Sequence, residues 1–448
     1  MKKFIQTIKN IFAIEELRRR IINTLILLVV FRIGAHIVLP GIDPEKLTKQ
    51  AGNTARGFLD IFLGGAFQNV AIFALGIMPY ISASIAVQLL TVALPSFQKM
   101  QKEGEAGRKK LNQITKYLTI AFTLVQSYAY LQNPDIFAAL SPNISPAFFT
   151  AYSMVILTAG TMFCMWLGDR ITDRGIGNGV SMLIMIGIVS RFPQAIYLEL
   201  TARFGSKAAP GSPFLLVIEF ILLFFIVLLV VMVTQAVRRI TIQYARQVVG
   251  NKVYGGQRQY LPLKLNTAGV MPIIFAQSLM FLPSLLAGLF SEKSQFAQAI
   301  VTVFSNQFSW QYNLIFAIMI LLFTYFYTAI TINPKQIADD MKRNGGFIPG
   351  VKPGEPTAQY IDSVISKITL PGSLFLAFIA IVPSIVRVTL GTDSNFAMFF
   401  GGTSLLIMVG VVLDTLQQIE SYLLMKHYEG LMQSGKISDT STLAAVQQ

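Results

Sequence analysis

Charged, sulfhydryl and imidazole side chains are all in short supply in this sequence, and each shortage removes a class of function. Asp, Glu, Lys and Arg make up 13% of the 448 residues, against about 25% in soluble domains, while 53% of residues are hydrophobic. Such a composition excludes an ordinary soluble fold and points to a polytopic membrane protein. The single cysteine, Cys164, lies in an apolar run, so no disulfide framework can form within the chain. The two histidines, His36 and His427, stand at opposite ends and form no cluster with metal-ligand spacing. No nucleophile or metal constellation stands out, so neither an enzyme nor a bound cofactor is expected.

Two glycine-rich stretches approach nucleotide motifs without completing them. Gly430 to Lys436, GLMQSGK, gives the first seven positions of a phosphate-binding loop. Ile437 then replaces the metal-binding hydroxyl, and the preceding stretch reads as helix rather than strand. Gly175, Gly177 and Gly179 match part of a dinucleotide fingerprint, yet they join two apolar spans, and a tight turn is the better reading.

Charge inside the apolar runs is also scarce. An ion-coupled transporter places acidic residues at mid-membrane, where their cost makes them functional. Here Arg32 stands in an apolar core with no acidic partner that the sequence can assign. The scarcity argues against a secondary transporter for a small solute, which is the alternative reading, without removing it.

What the chain has in quantity is apolar length. Ten runs punctuated by Gly, Pro or charge fall at about 21–40, 70–94, 111–131, 148–168, 178–195, 213–234, 267–290, 310–330, 369–389 and 398–416. An even number of crossings puts both termini on one side. With the N-terminus inside, Lys and Arg of inside segments outnumber those outside by roughly three to one. Both termini are therefore expected in the cytoplasm, and the net charge of +14 is mostly a topology signal that requires no nucleic acid. Residues 1–20 alternate Phe4, Ile5, Ile8, Ile11 and Phe12 with lysines, a pattern suited to an amphipathic helix on a membrane surface. The run from Ile21 is too long for a signal-peptide core and meets Pro40-Gly41 rather than a cleavage site.

Residues 57–94 are the stretch around which the chain is organised. The piece 57–67 would make a helix only about 16 Å long, too short to cross a hydrocarbon layer of roughly 30 Å. It is re-entrant or pore-capping if it is helical. Gly64-Gly65 and Gln68-Asn69 separate it from 70–94, which is long enough to span but carries Pro79, Ser82, Ser84 and Gln88. On a helix, Ile77, Ile81 and Gln88 fall on one stripe. The pair suggests a lined and plugged passage; an ordinary buried helix after an interfacial loop is the other reading.

Two inside loops exceed what connection needs. Segment 235–266 has six basic residues and no acidic one, and segment 331–368 contains Gly345-Gly346, Pro349-Gly350 and Pro353-Gly354, pairs that favour tight turns. Contact with anionic lipid would suit the first loop. Tyr244, Tyr254, Tyr260 and its glycines also suit a shaped protrusion that docks a soluble partner.

At LGIMPYISASIAVQLL, residues 75–90, the sequence resembles the SecY family. KEGEAGRKK (102–110), DRGIGNGVS (173–181), RRITIQYARQ (238–247), YLPLKLNTAGVMPIIFA (260–276), NPKQIADDMKRNGGFIPG (333–350), PGEPTAQYID (353–362) and FFGGTSLLIMVGVVLDT (399–415) extend the likeness. It covers roughly residues 15–430. The resemblance implies an all-α polytopic membrane protein with ten transmembrane helices in two pseudo-symmetric inverted halves of five. These would be residues 1–196 and 210–430, joined around Ala208 to Pro210, with a cytoplasmic tail at 431–448. It implies the central subunit of a protein-conducting channel in the bacterial cytoplasmic (inner) membrane.

By match to the family's motifs, the pore ring would be Ile77, Ile81, Ile184, Ile188, Ile274 and Ile407. The plug would be Phe58, Leu59, Asp60, Ile61, Phe62, Leu63, Gly64, Gly65, Ala66 and Phe67. Gln88, Gln126 and Asn266 would supply polar contacts at a lateral gate between helix pairs 2/3 and 7/8. Arg238, Arg239, Arg246, Lys342, Arg343 and Lys352 would dock the SecA ATPase or a translating ribosome. Lys352 is a departure, since many members carry arginine there; lysine keeps the charge and loses the bidentate fork. Further implied partners are SecE and SecG, preprotein signal sequences, YidC, SecDF and anionic lipids.

Overall fold

A computed structural model describes residues 12, 14–43, 64–67, 69–132, 134–142, 144–204, 212–244, 247–249, 252–254, 258–277, 279–280, 303–304 and 307–433. The surface helix expected at the extreme N-terminus, plug residues 58–63, Arg246, half of the seventh apolar run and the last residues of the tail lie outside the described residues.

In chain order the helices are α1 Glu15–Gly34, α2 Met78–Ala93, α3 Pro95–Lys102, α4 Glu105–Leu131, α5 Pro134–Ala138, α6 Pro146–Arg174, α7 Gly179–Phe204 and α8 Ser212–Gln235. Strands β1 Val237–Tyr244, β2 Gln247–Val249, β3 Lys252–Tyr254 and β4 Arg258–Lys264 follow. After them come α9 Trp310–Thr331, α10 Pro334–Arg343, β5 Gly346–Phe347, α11 Glu355–Leu390, α12 Ser394–Ala397 and α13 Gly402–Gln433. Among the described residues, α6, α7, α8, α9, α11 and α13 are each long and apolar enough to cross a membrane, and α2 and α3 reach that length and apolarity only taken together across their bend. Helices α1 and α4 have the length, 20 and 27 residues or about 30 and 40 Å, with more polar character. This is an all-α polytopic membrane protein.

Of the boundaries that differ from those the sequence suggests, three bear on the site and the loops. Helix α1 begins at Glu15 and stops at Gly34, so Arg18, Arg19 and Arg20 belong to its first turns, and residues up to Asp43 run on as a chain bridged at Val38 to Ala71 and at Ile42 to Leu140. The second span does not begin at residue 70. Turns occupy 69–77, with φ of +47° at Val70 and +50° at Gly76, and the helix starts only at Met78 with Pro79 in its first turn. Apolar composition alone does not separate such turns from helix. At the other end the chain bends by 101° into α3, because Pro95 lacks an N–H and holds Leu94 extended, with ψ of 123°. Segment 331–368 is the third difference: it contains α10, β5 and the first turns of α11 rather than one long loop.

Packing follows small and apolar stripes. Thr115, Thr119 and Thr123 of α4 are buried and return their hydroxyl protons to carbonyls one turn back at 2.9, 2.7 and 2.6 Å. Side chains satisfied in this way let α2 and α6 approach α4 closely. The largest apolar cluster gathers Leu28 and Phe31 of α1, Cys164 and Leu167 of α6, Leu183 of α7, Val382 of α11, Phe399, and Val411 of α13. It sits where residues before and after the 205–211 connection meet.

Candidate functional site

All six isoleucines of the expected ring lie in that one cluster. Ile77, Ile188 and Ile407 are buried in it, and Ile81, Ile184 and Ile274 pack against it partly exposed. Four separate pieces of chain bring them there: the start of α2, the first half of α7, the helical turns at 271–277, and α13. Ile81 keeps its stripe because its N–H reaches Ile77 O at 3.1 Å, one turn back across the start of the helix. The partly exposed face of branched apolar side chains offers no hydrogen bond to water or to an ion.

Beside this cluster lies the end of the short element. Gly64 and Gly65 have φ of +60° and +98°, and Arg32 of α1 donates from Nη1 to Gly64 O at 3.0 Å. Arg32, for which the sequence assigns no partner, thus finds a backbone carbonyl; its Nη2 lies 3.1 Å from His36 Nε2. Of the expected plug residues, Gly64, Gly65 and Ala66 are buried, and Phe67 is half-buried.

The expected gate residues are not joined to one another by hydrogen bonds. Gln88 Nε2 stays within α2, 3.5 Å from Ser84 Oγ, while Asn266 Oδ1 is buried without a partner. Gln126 is half-buried on α4.

The two basic loops form one body, which the sequence does not reveal. Strand β1 lies between β4 and β5 in an antiparallel sheet, with Arg239 opposite Pro262 and Gln243 opposite Phe347. Alternation along β1 turns Ile240 and Ile242 inward. There they meet Leu263, Met341 and Ile348, and Ile361 and Ile365 of α11. Arg238, Arg239, Lys342, Arg343 and Lys352 remain exposed on the outside of this body.

A second feature escaped the sequence reading. Glu219 lies within the apolar run 213–234, so acidic charge is less absent than it seems there. It is fully buried, and Arg203 bridges it at 2.5 Å and Glu199 at 2.7 Å. Arg203 also donates to Leu390 O at 2.9 Å, Thr392 Oγ1 donates to Glu219 Oε1 at 3.1 Å, and the Asp393 N–H donates to Glu199 Oε2 at 2.7 Å. The paired arginine makes this a structural knot between α7, α8 and the end of α11.

The glycine turn at 175–179 does not present an open set of N–H groups to a phosphate. Its N–H groups are already engaged: Ile176 donates to Thr24 Oγ1 at 3.0 Å, Gly177 to Gln418 Oε1 at 2.8 Å and Gly179 to Thr172 Oγ1 at 2.9 Å. The GLMQ of the other near-motif continues α13 as helix. No group of three or more His, Cys, Asp or Glu among the described residues could hold a metal ion.

A family model for SecY matches residues 71–416, well over half of the chain. The chain belongs to the SecY family. The curated SecY relatives include the protein translocase subunit SecY of Streptomyces galbus, 43% identical over 434 residues, covering 94% of this chain and 98% of that one. The SecY of Aquifex aeolicus is 42% identical over 435 residues with the same coverage. Among solved structures, one described as a protein conducting channel superposes with a TM-score of 0.60 at 18% identity, covering 90% of this chain and 92% of that one. Another, described by the role of its SecY plug domain in stabilising the closed channel, gives 0.59 at 17%. Membership in the SecY family makes this chain the channel subunit of a protein translocase and not an enzyme. The small-solute transporter finds no support in these likenesses.

Proposed function

We propose that the six isoleucines form the constriction of a polypeptide channel, and that residues 58–67 plug it when no substrate is present. The observation that carries this reading is their convergence, from four separate pieces of chain, into one apolar cluster. Branched apolar side chains around a narrow passage dewet it and block ions, yet they fold back around a passing chain without fixed hydrogen bonds to break. Gln88, Gln126 and Asn266 line a lateral gate, where weak polar contacts of about 0.6 kcal/mol each would hold a seam shut without locking it. The unsatisfied Asn266 Oδ1 is available to such a contact.

Ten transmembrane helices in two inverted halves, 1–196 and 210–430, would surround this pore in the bacterial inner membrane, with both termini cytoplasmic and 431–448 as a tail. The sheet of β1, β4 and β5 is then the cytoplasmic platform on which SecA or a ribosome docks through Arg238, Arg239, Arg246, Lys342, Arg343 and Lys352. SecE and SecG complete the complex, and YidC, SecDF and anionic lipids are further contacts. Unfolded preproteins cross, and their hydrophobic segments leave sideways into lipid, driven by the partner's ATP hydrolysis or by chain elongation.

The test is cysteine cross-linking of a preprotein arrested during SecA- and ATP-dependent import into vesicles. Single cysteines at positions 81, 184 and 407 in a Cys164→Ala background should cross-link to the arrested chain, whereas one at Phe224, exposed on the outer surface of α8, should not. Cross-links absent from all three ring positions in import-competent vesicles would overturn the ring.

A further inference from the structure

One face of α11 runs beneath three different parts of the chain. Ile361, Ile365, Ile368, Gly372 and Leu376 recur every three or four residues and so share a stripe. Near its start, Ile361 and Ile365 are buried with Leu263 of β4, and Ile368 packs against the same cluster. Farther on, Leu376 is buried with Ile273 and Ala276 of the helical turns at 271–277, which also carry Ile274 of the expected ring. Gly372 lies between these two contacts. A Cβ built there would stand 2.7 Å from Leu265 O, an approach to backbone that no side-chain rotation relieves. Glycine is a poor helix former, and what it supplies inside α11 is this approach: the chain leaving the sheet rests directly on the helix.

The 265–270 turn on that rest joins β4 to the ring segment. The Leu265 N–H donates to Ala236 O at 2.8 Å, and Thr267 Oγ1 donates to Lys264 O at 2.8 Å. Gly269 turns with φ of +64° beside open space. Asn266 Oδ1 is buried without a partner, so this placement of the turn leaves a polar atom unmet, a cost that another placement would remove. Across the turn, a Cβ built on Gly410 of α13 would meet Val270 Cγ2 at 3.5 Å, which is ordinary contact. A methyl group is therefore obstructive at Gly372 and harmless at Gly410.

We propose that Gly372 is a positioning residue for the response to docking: it is the bearing on which the 265–270 turn shifts, so that a displacement of β4 reaches Ile274. This rests on the readings of the sheet as the docking platform and of Ile274 as a ring member. Lys264 and Ile274 are joined by one short turn, so the displacement needs no route through other helices. The bare helix backbone at Gly372 leaves nothing for the turn to catch on, and an added methyl holds the turn off α11 and uncouples the two ends.

The test places an environment-sensitive bimane label on a single cysteine at position 277, in a Cys164→Ala background, in vesicles holding this chain with SecE. SecA docking is measured separately by co-sedimentation. In the parent, SecA should dock and shift the emission at 277. Gly372→Ala should dock SecA with unchanged affinity and lose the shift, and preprotein import should fall with it; Gly410→Ala should keep docking, shift and import. A shift retained in Gly372→Ala overturns the bearing. Loss of docking together with the shift means a lesion that reaches the sheet, and loss of the shift in Gly410→Ala means that any added methyl does harm; either result also overturns it. If the parent docks SecA without a shift, the inference falls while the docking reading stands; if the parent does not dock SecA, both fall. Should Gly372→Ala fail to assemble, Asn266→Leu decides. With no unmet acceptor in the resting placement, its shift should shrink at equal docking, and an unchanged shift refutes the inference.

Discussion

The backbone N–H of Gly177 donates to Gln418 Oε1 at 2.8 Å, joining residues 241 positions apart. Around it, Thr24 of α1 accepts from Ile176, and the Arg20 guanidinium lies 5.1 Å from the ring centroid of Tyr422 on α13. The turn between α6 and α7 is thus held from both ends of the sequence.

Removing the acceptor should be costly. Gln418→Ala leaves the N–H of buried Gly177 without a partner, and about 1–3 kcal/mol of stability should be lost. Gln418→Glu keeps an acceptor and should lose less. Thermal unfolding of the purified complex in detergent measures both; equal melting temperatures for the two variants would refute the bond's contribution.

The Arg203 knot makes a sharper prediction. Arg203→Met strands Glu199 and Glu219, whose side chains are 2% and 0% exposed, and about 3–5 kcal/mol should be lost. Adding Glu199→Gln and Glu219→Gln to Arg203→Met should recover much of that loss, because no uncompensated charge remains. A triple variant no more stable than Arg203→Met would show that the arginine acts through packing instead.

Polar substitution at the ring should make the closed channel conduct. Ile81→Ser with Ile184→Ser removes branched apolar bulk from two partly exposed members and lets water wet the constriction. Planar-bilayer recordings should show a raised resting conductance, and unchanged conductance would count against the ring.

Charge reversal on the sheet should weaken docking without disturbing the fold. Arg239→Glu with Arg343→Glu lies on exposed positions of β1 and α10, away from the inward face of Ile240 and Ile242. Channel-stimulated ATP hydrolysis by SecA should fall, and the deficit should shrink as salt rises, because rim charges act chiefly on encounter. A deficit that salt leaves unchanged would point to a structural lesion.

The sequence was readable where one segment carries its own signal. The run 213–234 became α8 within two residues, since nothing but length and hydropathy was needed there. The six isoleucines expected at the ring come from the family's motifs, and packing places all six in one apolar cluster. Residues 70–77 misled because apolar turns and apolar helix have the same composition. The bond from Arg32 to Gly64 was invisible because a backbone carbonyl has no signature in sequence. The join of β1 to β5 was equally hidden, since Gln243 and Phe347 come from separate loops with no local pattern linking them. Glu219 was missed for the opposite reason, a lone acid submerged in a strong apolar signal.

Helix α11 has one further consequence. Its 36 residues make a rod about 54 Å long, far longer than a hydrocarbon core of roughly 30 Å. At one end Ile361 and Ile365 are embedded under the basic sheet, and at the other the carbonyl of Leu390 is gripped by Arg203. Such a rod is a lever with a loaded handle and a pinned tip: a few degrees of tilt imposed at the sheet become ångströms of travel along its length, and Pro371 and Pro383 mark where the beam can flex rather than transmit.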